Sequence, residues 1–165
     1  MSERPSNTRA SLKESSQKSE AVIIREAAPE DVSQIISNSQ TTDRFRVSAY
    51  TDEMDEEELR FWITDERSIV IVAVLDTRLV GYAYGLCLSP KWFFFDEFVL
   101  IPQVRGRGIG KKMYTYLREV CRKRGLQLIQ AIVKDDESKA LEYWIGRGFE
   151  QGSKCIWVED WLYKD

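Results

Sequence analysis

The chain has 165 residues, of which 43% are hydrophobic, and its formal net charge is −3. A chain of this size buries one core and is predicted to form one domain, and the lack of a strong basic excess argues against a dedicated nucleic-acid binder. Histidine is absent, which excludes Ser-His-Asp and Cys-His catalysis and removes the commonest metal ligand. We therefore expect no metal site, and any chemistry must rest on carboxylates, tyrosines, lysines or backbone groups.

Residues 1–20 are rich in serine and charge and have almost no apolar side chains. Such a segment cannot bury enough surface to offset its ordering entropy, so we predict a disordered tail before a single domain at residues 21–165. The tail lacks the apolar run of a signal peptide, and no later stretch reaches membrane-spanning length. Three cysteines without a CxxC pair indicate reduced, incidental thiols. The sequence thus predicts a cytoplasmic protein with no membrane partner.

The first half of the domain is predicted to combine two helices with apolar strands. Pro29 and the acids after it open the first helix, where both are tolerated. Residues 68–75 (SIVIVAVL) indicate a buried strand, and residues 76–78 are typical of a hairpin turn. In the next strand Tyr82 and Tyr84 share one face. The predicted elements are strands at residues 21–25, 68–75, 79–88 and 92–101 and helices at residues 29–37 and 55–64.

The second half is predicted to contain strand–helix–strand units. Residues 109–124 place apolar side chains at the 3.6-residue period of a helix, which Gly125 ends. Because hairpins come first and strand–helix–strand units follow, the predicted fold class is α/β with a sheet of mixed direction. The remaining predicted elements are strands at residues 126–133 and 154–161 and a helix at residues 137–146.

Residues 98–112 (FVLIPQVRGRGIGKK) combine an apolar strand, a short glycine-rich loop and a helix start. Glycines let a backbone approach a ligand closely, and loop amides beside a helix N-terminus form a nest for anions. Eight Lys or Arg residues and one Glu lie between Arg105 and Arg124, so a strongly negative group such as a pyrophosphate is expected nearby. The alternative is a glycine-rich turn before a solvated basic helix face.

Two common phosphate-binding motifs fit this loop poorly. A P-loop requires GxxxxGK[ST], whereas position 105 is Arg and position 112 is Lys. A dinucleotide-binding fingerprint requires GxGxxG in the first strand–helix unit, whereas the spacing here is GxGxG and lies late in the chain. Neither motif therefore accounts for the loop.

The loop resembles that of a known enzyme superfamily. Residues 103–108 (QVRGRG) match the Q/R-x-x-G-x-G/A signature of the GNAT N-acetyltransferases, and residues 105–110 (RGRGIG) match it a second time. Pro102 before the loop and the later residues 140–149 (ALEYWIGRGF) are similar to other common motifs of this superfamily. The resemblance covers residues 21–165. It implies a central mixed, mostly antiparallel sheet with splayed middle strands and about four flanking helices.

The resemblance also implies acetyl-coenzyme A as co-substrate and indicates where it binds. In this superfamily the loop amides bind the pyrophosphate, and the backbone of the preceding strand pairs with the pantetheine arm. The strand residues are then Phe98, Val99 and Leu100, and the amide of Leu100 is a candidate donor to the oxyanion. The matching residues of the loop and helix start are Arg105, Gly106, Arg107, Gly108, Ile109, Gly110 and Lys111.

Glu97 is the candidate catalytic base, because the amine acceptor must lose a proton before it attacks a thioester. It matches a position where many members of the superfamily carry an acidic residue. Asp96 is its neighbour, and adjacent strand residues point to opposite faces, so at most one of the two carboxylates enters the cleft. The alternative is that Glu97 is a surface carboxylate beside a strand.

The position of the general acid departs from the superfamily pattern. Many members carry Asn and Tyr where this chain has Glu137 and Trp144. An indole donates a hydrogen bond but cannot release its proton usefully, so Trp144 is no general acid. Tyr143 is not given the role, because on a helix it points about 100° away from Trp144. Trp144 is predicted to pack against the pantetheine or acetyl group, or alternatively to be a core aromatic.

Residues 52–58 (DEMDEEE) hold six acids in seven residues, within the region that lines the acceptor site in the superfamily. One interpretation is a solvated helix start, and the other is attraction of a cationic acceptor. The aromatic side chains that could wall such a pocket, or else pack in the core, are Phe61, Trp62, Tyr82 and Tyr84.

These observations predict an N-acetyltransferase that moves the acetyl group of acetyl-coenzyme A to a primary amine of a small molecule or peptide. The chain would act as a monomer or homodimer, without nucleic acid or membrane. The departure at Trp144 supports an alternative, a non-catalytic coenzyme A-binding module. A phosphate- or nucleotide-binding protein of another family is a third reading.

Overall fold

The computed structural model describes residues 21–42, 54–160 and 162. The predicted disordered tail at residues 1–20 and the first two acids of the 52–58 run lie outside the described residues. The strands are β1 (Val22–Glu26), β2 (Ser68–Leu75), β3 (Arg78–Ser89), β4 (Trp92–Leu100) and β5 (Leu128–Ala131). The helices are α1 (Val32–Thr41), α2 (Glu56–Thr64), α3 (Ile109–Lys123) and α4 (Ser138–Ile145), with short 3-10 turns at Pro29–Asp31 and Pro102–Val104.

The five strands form one sheet in the order β1-β2-β3-β4-β5. The first four pair antiparallel, and β5 pairs parallel to β4. This arrangement confirms the predicted mixed, mostly antiparallel sheet with about four helices. The predicted hairpin is also confirmed, because Leu75 pairs with Arg78 and Asp76 has a φ of 56°, a conformation that Asp tolerates in tight turns.

Helices cover both faces of the sheet, which explains why β2 is apolar along its whole length rather than alternating. Ile71 faces one core cluster and Val72 the other. The cluster on the α3 side, called the α3 cluster, includes Ile69, Ile71, Phe93, Phe95, Ile109, Met113, Leu117, Cys121 and Trp144. The cluster on the α1 side, called the α1 cluster, comprises Val32, Ile35, Leu59, Val72, Leu79, Tyr82 and Val99.

A buried carboxylate holds β1 against the start of α1. Asp31 is only 4% exposed, and its two carboxylate oxygens accept hydrogen bonds from Arg25 at 2.6 and 2.8 Å. The Ala28 backbone N–H donates a third hydrogen bond to Asp31, at 2.8 Å. Burial opposes ionisation, but these bonds to the charged form outweigh it and lower the pKa of Asp31 below its usual value.

Two strand predictions at the end of the chain need correction. The predicted strand at residues 126–133 is shorter, because Leu126 turns into the α3 cluster and pairing with β4 stops at Ala131. The strand predicted at residues 154–161 is wrong for residues 154–160, which have no regular structure and are exposed; residue 161 is outside the described set. The short apolar run at residues 155–158 (CIWV) favours a strand, but a strand also needs a partner edge, which local sequence does not reveal. Among the described residues no helix is long and apolar enough to cross a membrane.

Candidate active site

Strands β4 and β5 stop pairing about halfway along β4. Their parallel pairing runs from Trp92 with Leu128 to Phe95 with Ala131 and then ends. β4 continues to Leu100 while it remains paired with β3 on its other side. Within the described ranges, the last residues of β4 therefore have one open edge, which we call the β4 opening (residues 97–100). An open strand edge offers backbone donors and acceptors to a ligand.

A β-bulge at Asp96 sets the direction of the side chains along the β4 opening. Tyr84 pairs with Glu97 and Gly85 pairs with Phe95, so Asp96 is the extra residue on β4. Phe95 packs in the α3 cluster, whereas Val99 packs in the α1 cluster. In a regular strand these two residues would share a face. The bulge thus moves Glu97 and Val99 to the α1 side of the sheet.

The peptide groups of the β4 opening alternate in direction. The Ile101 N–H donates to the Val80 carbonyl oxygen at 3.0 Å, so this peptide points towards β3. By alternation the N–H groups of Phe98 and Leu100 point away from β3, into the opening. The Leu100 carbonyl oxygen accepts a hydrogen bond from Arg105 Nε at 3.0 Å. Two backbone donors are thus available to a ligand that lies along β4.

The chain passes from the β4 opening directly into the glycine-rich loop. Gly108 precedes α3 in the left-handed region, with a φ of 77°, a conformation that glycine adopts without strain. The first amide of α3 with a partner inside this turn is Lys112 N–H, which donates to the Gly108 carbonyl at 3.2 Å. The earlier amides of Ile109, Gly110 and Lys111 belong to the first turn, where helix N–H groups have no partner within the helix. This geometry suits a pyrophosphate.

Positive side chains surround the loop. Arg105, Arg107 and Lys111 are exposed and add attraction for an anion. The side chain of Ile109 is 2% exposed and lies in the α3 cluster, so this residue can offer only its backbone. The side chain of Val99 is 4% exposed and is buried on the other side of the sheet, so Val99 also can offer only its backbone. No group of three His, Cys, Asp or Glu side chains in the described part of the chain is arranged to hold a metal.

Glu97 lies on the α1 side of the sheet, next to a group of aromatic rings. It is 4% exposed, whereas Asp96 is exposed. Its cross-strand partner Tyr84 stacks on Tyr82 with ring centroids 6.5 Å apart. The Trp62 ring of α2 meets Tyr84 edge-on at 4.9 Å. We call Trp62, Tyr82 and Tyr84 the aromatic wall, in which Tyr82 is fully buried and Trp62 and Tyr84 are partly exposed. Glu97 is the carboxylate beside it.

The acids at the start of α2 have structural roles in part. Asp55 caps the helix by accepting a hydrogen bond from the Glu57 N–H at 3.0 Å, as N-cap residues do. Glu56 pairs with Arg60 one turn later at 2.7 Å. Phe61 of the same helix is 56% exposed, so it lies outside the core. The capping bond and the ion pair account for Asp55 and Glu56 as parts of a solvated helix start, without a role in binding an acceptor.

Trp144 is a core residue in this fold. Its side chain is 9% exposed and belongs to the α3 cluster. Five rings surround the indole at centroid distances of 4.9 to 5.6 Å, namely those of Phe95, Phe98, Tyr114, Tyr143 and Phe149. The alternative of a core aromatic thus describes its environment, and the contact with a pantetheine or acetyl group stays a prediction.

Tyr143 is the residue that sequence reasoning set aside. A Cβ added at Gly110 would lie 2.6 Å from the Tyr143 hydroxyl oxygen, so this hydroxyl touches the first turn of α3. The Arg147 guanidinium lies 3.4 Å from the centre of the Tyr143 ring. Burial raises the pKa of the Tyr143 hydroxyl, and the nearby charge of Arg147 only partly opposes it. No sequence signal marks this contact, because it joins two helices that are distant in the chain.

A sequence comparison with known families agrees with this geometry. The model of the acetyltransferase (GNAT) family matches residues 34–149. This range includes α2, the β4 opening, the glycine-rich loop and α4. No curated protein sequence gives a significant match.

Solved acetyltransferase structures resemble the fold. The aminoglycoside acetyltransferase meta-AAC0020 from an uncultured soil metagenomic sample, in complex with sisomicin, has a TM-score of 0.69 and 17% identity, covering 86% of this chain and 97% of that one. The PaiA N-acetyltransferase from Thermoplasma acidophilum in complex with coenzyme A has a TM-score of 0.72 and 16% identity, covering 82% and 93%. The ribosomal-protein-S18-alanine N-acetyltransferase from Escherichia coli has a TM-score of 0.67 and 14% identity, covering 81% and 80%.

Proposed function

We propose that this chain, which belongs to the acetyltransferase (GNAT) family, transfers the acetyl group of acetyl-coenzyme A to a primary amine of a small molecule or peptide. The observation that carries the proposal is the β4 opening, which leads directly into the helix N-terminus of the glycine-rich loop. A ligand with an anionic end and an amide-containing arm fits such a surface. The three free cysteines support a reducing, cytoplasmic setting for the reaction.

The donor side of the site is formed mainly by backbone groups. The amides of the loop and the first turn of α3 would hold the pyrophosphate, with the exposed side chains of Arg105, Arg107 and Lys111 around it. The N–H groups of Phe98 and Leu100 would face the bound ligand along the β4 opening, so that one is available to the pantetheine arm and the other to the acetyl end. When bound, acetyl-coenzyme A supplies an activated acetyl thioester.

The chemistry requires a base for the amine and a donor for the developing negative charge. Glu97 is the candidate for the base, because it is a buried carboxylate at the edge of the β4 opening. It would accept the proton that the amine loses on attack. The Leu100 N–H would donate to the acetyl oxygen, where the charge develops. As the new C–N bond forms, the C–S bond of the thioester breaks and coenzyme A leaves as a thiolate, which water can protonate because a free thiol has a pKa of about 8.5. No covalent link to the enzyme is needed.

The aromatic wall and the acids of α2 favour a cationic acceptor. Aromatic faces attract ammonium groups, and nearby carboxylates raise the local concentration of cations. Trp62 and Tyr84 are partly exposed on the same side as Glu97, and Glu57 and Glu58 are exposed one to two turns before Trp62. Phe61, which is exposed, adds an apolar contact for the body of the acceptor.

The function is tested with a panel of amines, in which free thiol released from acetyl-coenzyme A is measured. The panel contains polyamines, aminoglycosides and peptides with free N-termini or lysines, and each cation is matched with a neutral amine of similar size. We expect turnover with at least one class and higher kcat/KM for the cationic member of each pair. Coenzyme A binding without turnover on any amine would contradict the proposed acceptor chemistry.

A further inference from the structure

Tyr143 and Trp144 are neighbours on α4, but their side chains lie in two different environments. Trp144 is enclosed in the α3 cluster, whereas the Tyr143 ring reaches across to the start of α3. A Cβ built on Gly110 would meet two groups, the Tyr143 hydroxyl oxygen at 2.6 Å and Leu100 Cδ1 at 3.3 Å. The hydroxyl therefore lies where the first turn of α3 meets the end of β4. Only glycine at position 110 leaves room for it.

No hydrogen bond of good geometry reaches the Tyr143 hydroxyl from the described residues, although the Arg147 guanidinium is near enough to lower its pKa against the larger effect of burial. The hydroxyl oxygen is buried. Buried polar atoms are nearly always paired, and one that is not indicates a ligand, a water or a functional role. Its surroundings belong to the proposed coenzyme site. The first-turn amides of α3 (residues 109–111), which we call the amide nest, lie on one side of it, and the β4 opening lies on the other.

Arg147 fixes the Tyr143 ring in this orientation. Its guanidinium packs 3.4 Å from the ring centroid, and its Nη1 donates to the Tyr143 carbonyl oxygen at 3.1 Å. A cation over the ring and a hydrogen bond to the same residue restrict the side chain. Because burial raises the pKa of the phenol, the hydroxyl keeps its proton at neutral pH and is available as a donor.

We propose that Tyr143 is a coenzyme-binding residue, whose hydroxyl donates a hydrogen bond to an acceptor oxygen of coenzyme A where the ligand passes from the α3 N-terminus into the β4 opening. This inference rests on the proposed function. Phosphate oxygens and pantetheine carbonyl oxygens are the acceptors that coenzyme A carries, and each is matched by a phenol donor. Trp144 then supports the site by packing, and Tyr143 supplies the polar contact.

The test is the affinity of coenzyme A for Tyr143→Phe, measured by calorimetry. Phenylalanine keeps the ring and the Arg147 contact and removes only the donor. We expect affinity to fall about tenfold, the scale of one lost hydrogen bond, with the melting temperature unchanged. The weaker binding should raise KM for acetyl-coenzyme A, while kcat stays within about twofold of the wild-type value. Tyr116→Phe on α3, a half-buried tyrosine outside the site, is the matched control and should keep wild-type affinity.

A comparison of coenzyme A with pantetheine, which lacks the pyrophosphate, identifies the acceptor. A Tyr143→Phe loss that persists with pantetheine indicates a carbonyl oxygen, and a loss seen only with coenzyme A indicates a phosphate oxygen; both support the proposal. Unchanged affinity of folded Tyr143→Phe for both ligands overturns it. Unchanged affinity with a large loss of kcat also overturns it, because the hydroxyl would then act on the leaving thiolate instead.

A second variant keeps the inference testable if Tyr143→Phe fails to fold. Gly110→Ala places a methyl group against the hydroxyl and should displace it, so coenzyme A affinity should fall. Combining the two substitutions should cost less than the sum of their separate effects, because both act on one contact. Independent, additive losses would contradict the placement of the hydroxyl. If the wild-type protein does not bind coenzyme A at all, the proposed function fails and the role of Tyr143 fails with it, whereas a wild type that binds coenzyme A and a Tyr143→Phe variant of equal affinity contradict the role of Tyr143 alone.

Discussion

One extra residue in β4 decides which carboxylate reaches which side of the sheet. Asp96 occupies the bulge and is exposed, whereas Glu97 is buried opposite Tyr84 on the α1 side. Simple alternation separates the two side chains, but it does not reveal which one lies near the acceptor region. The bulge decides which carboxylate lies on the α1 side, because it reverses the faces of all residues that follow it along β4.

The role of Glu97 leads to the first prediction. Glu97→Gln should lower kcat by about 10²-fold, the usual scale for a positioned base, with little change in acetyl-coenzyme A affinity. The wild type should lose rate as pH falls, and higher pH should partly rescue the variant by deprotonating the free amine. Steady-state kinetics across pH measures both effects. Asp96→Asn is the control and should keep the parental profile; full activity of Glu97→Gln would show that this carboxylate is not the base.

Asp31 supports a prediction about stability and pH. Its pKa is lowered in the folded state, so its contribution to the free energy of unfolding is present above the unfolded-state value, about 3.9, and is lost as pH falls through the lower folded value. Asp31→Asn should therefore cost about 1–3 kcal/mol at pH 7, and this cost should shrink as pH falls from about 3.9 through the lower folded value. Urea unfolding at several pH values measures the difference. The exposed neighbour Glu30 provides a control, Glu30→Gln, and a cost for Asp31→Asn that does not change with pH would contradict the assignment.

At the scale of elements, the glycine-rich loop and the end of α3 share one backbone conformation. Gly108 before the helix and Gly125 after it both have a φ of 77°, and a Cβ at either position meets no atom within 4 Å. A side chain is therefore strained but not blocked at both positions. The two glycines differ in their surroundings, because Gly108 adjoins the amide nest and Gly125 does not.

This pair gives a prediction with its own control. Gly108→Glu and Gly125→Glu should cost similar stability, about 1 kcal/mol each, because both introduce the same backbone strain. Only Gly108→Glu should abolish coenzyme A binding, because it places a negative charge where phosphates approach. Calorimetry on the folded variants measures this difference. Equal coenzyme A affinities of the two variants would remove the loop from the site.

The C-terminal segment tests the correction made to the last predicted strand. Ile156 is 89% exposed and Val158 is 84% exposed, so neither contributes to the core. Ile156→Ser and Val158→Ser should change the free energy of unfolding by less than about 0.5 kcal/mol each. Ile71→Ala in β2, where the side chain is fully buried, should cost about 2–5 kcal/mol under the same denaturant conditions. A cost of that size at Ile156 would show that the segment packs as a strand after all.

At the scale of the whole molecule, the sheet separates the proposed donor side of the site from the proposed acceptor side. The glycine-rich loop, Phe98 and Tyr143 lie on the side of α3 and α4, whereas Glu97 and the aromatic wall lie on the side of α1 and α2. The two sides meet where β4 loses its partner β5. A donor arm held along the β4 opening can thus present its acetyl group to an amine that arrives from the opposite face.

Local sequence determined most of the elements and the position of the glycine-rich loop. The strand at residues 68–75 is confirmed to the residue, and the helix predicted at residues 109–124 starts at Ile109 as α3 does and ends one residue after it. These features depend on apolar periodicity, capping and glycine conformations, which act between residues close together in the chain. The motif at residues 103–110 identified the family for the same reason, because its glycines and basic residues lie within one loop.

Only the tertiary structure decided how those elements form a site. The bulge at Asp96, the end of β4–β5 pairing at Ala131 and the contact of Tyr143 with Gly110 all depend on residues far apart in the chain. The same is true of residues 154–160, whose short apolar run was insufficient for a strand without a partner edge. Pairing register and contacts between elements follow from the packing of the whole molecule, which no short window of sequence contains.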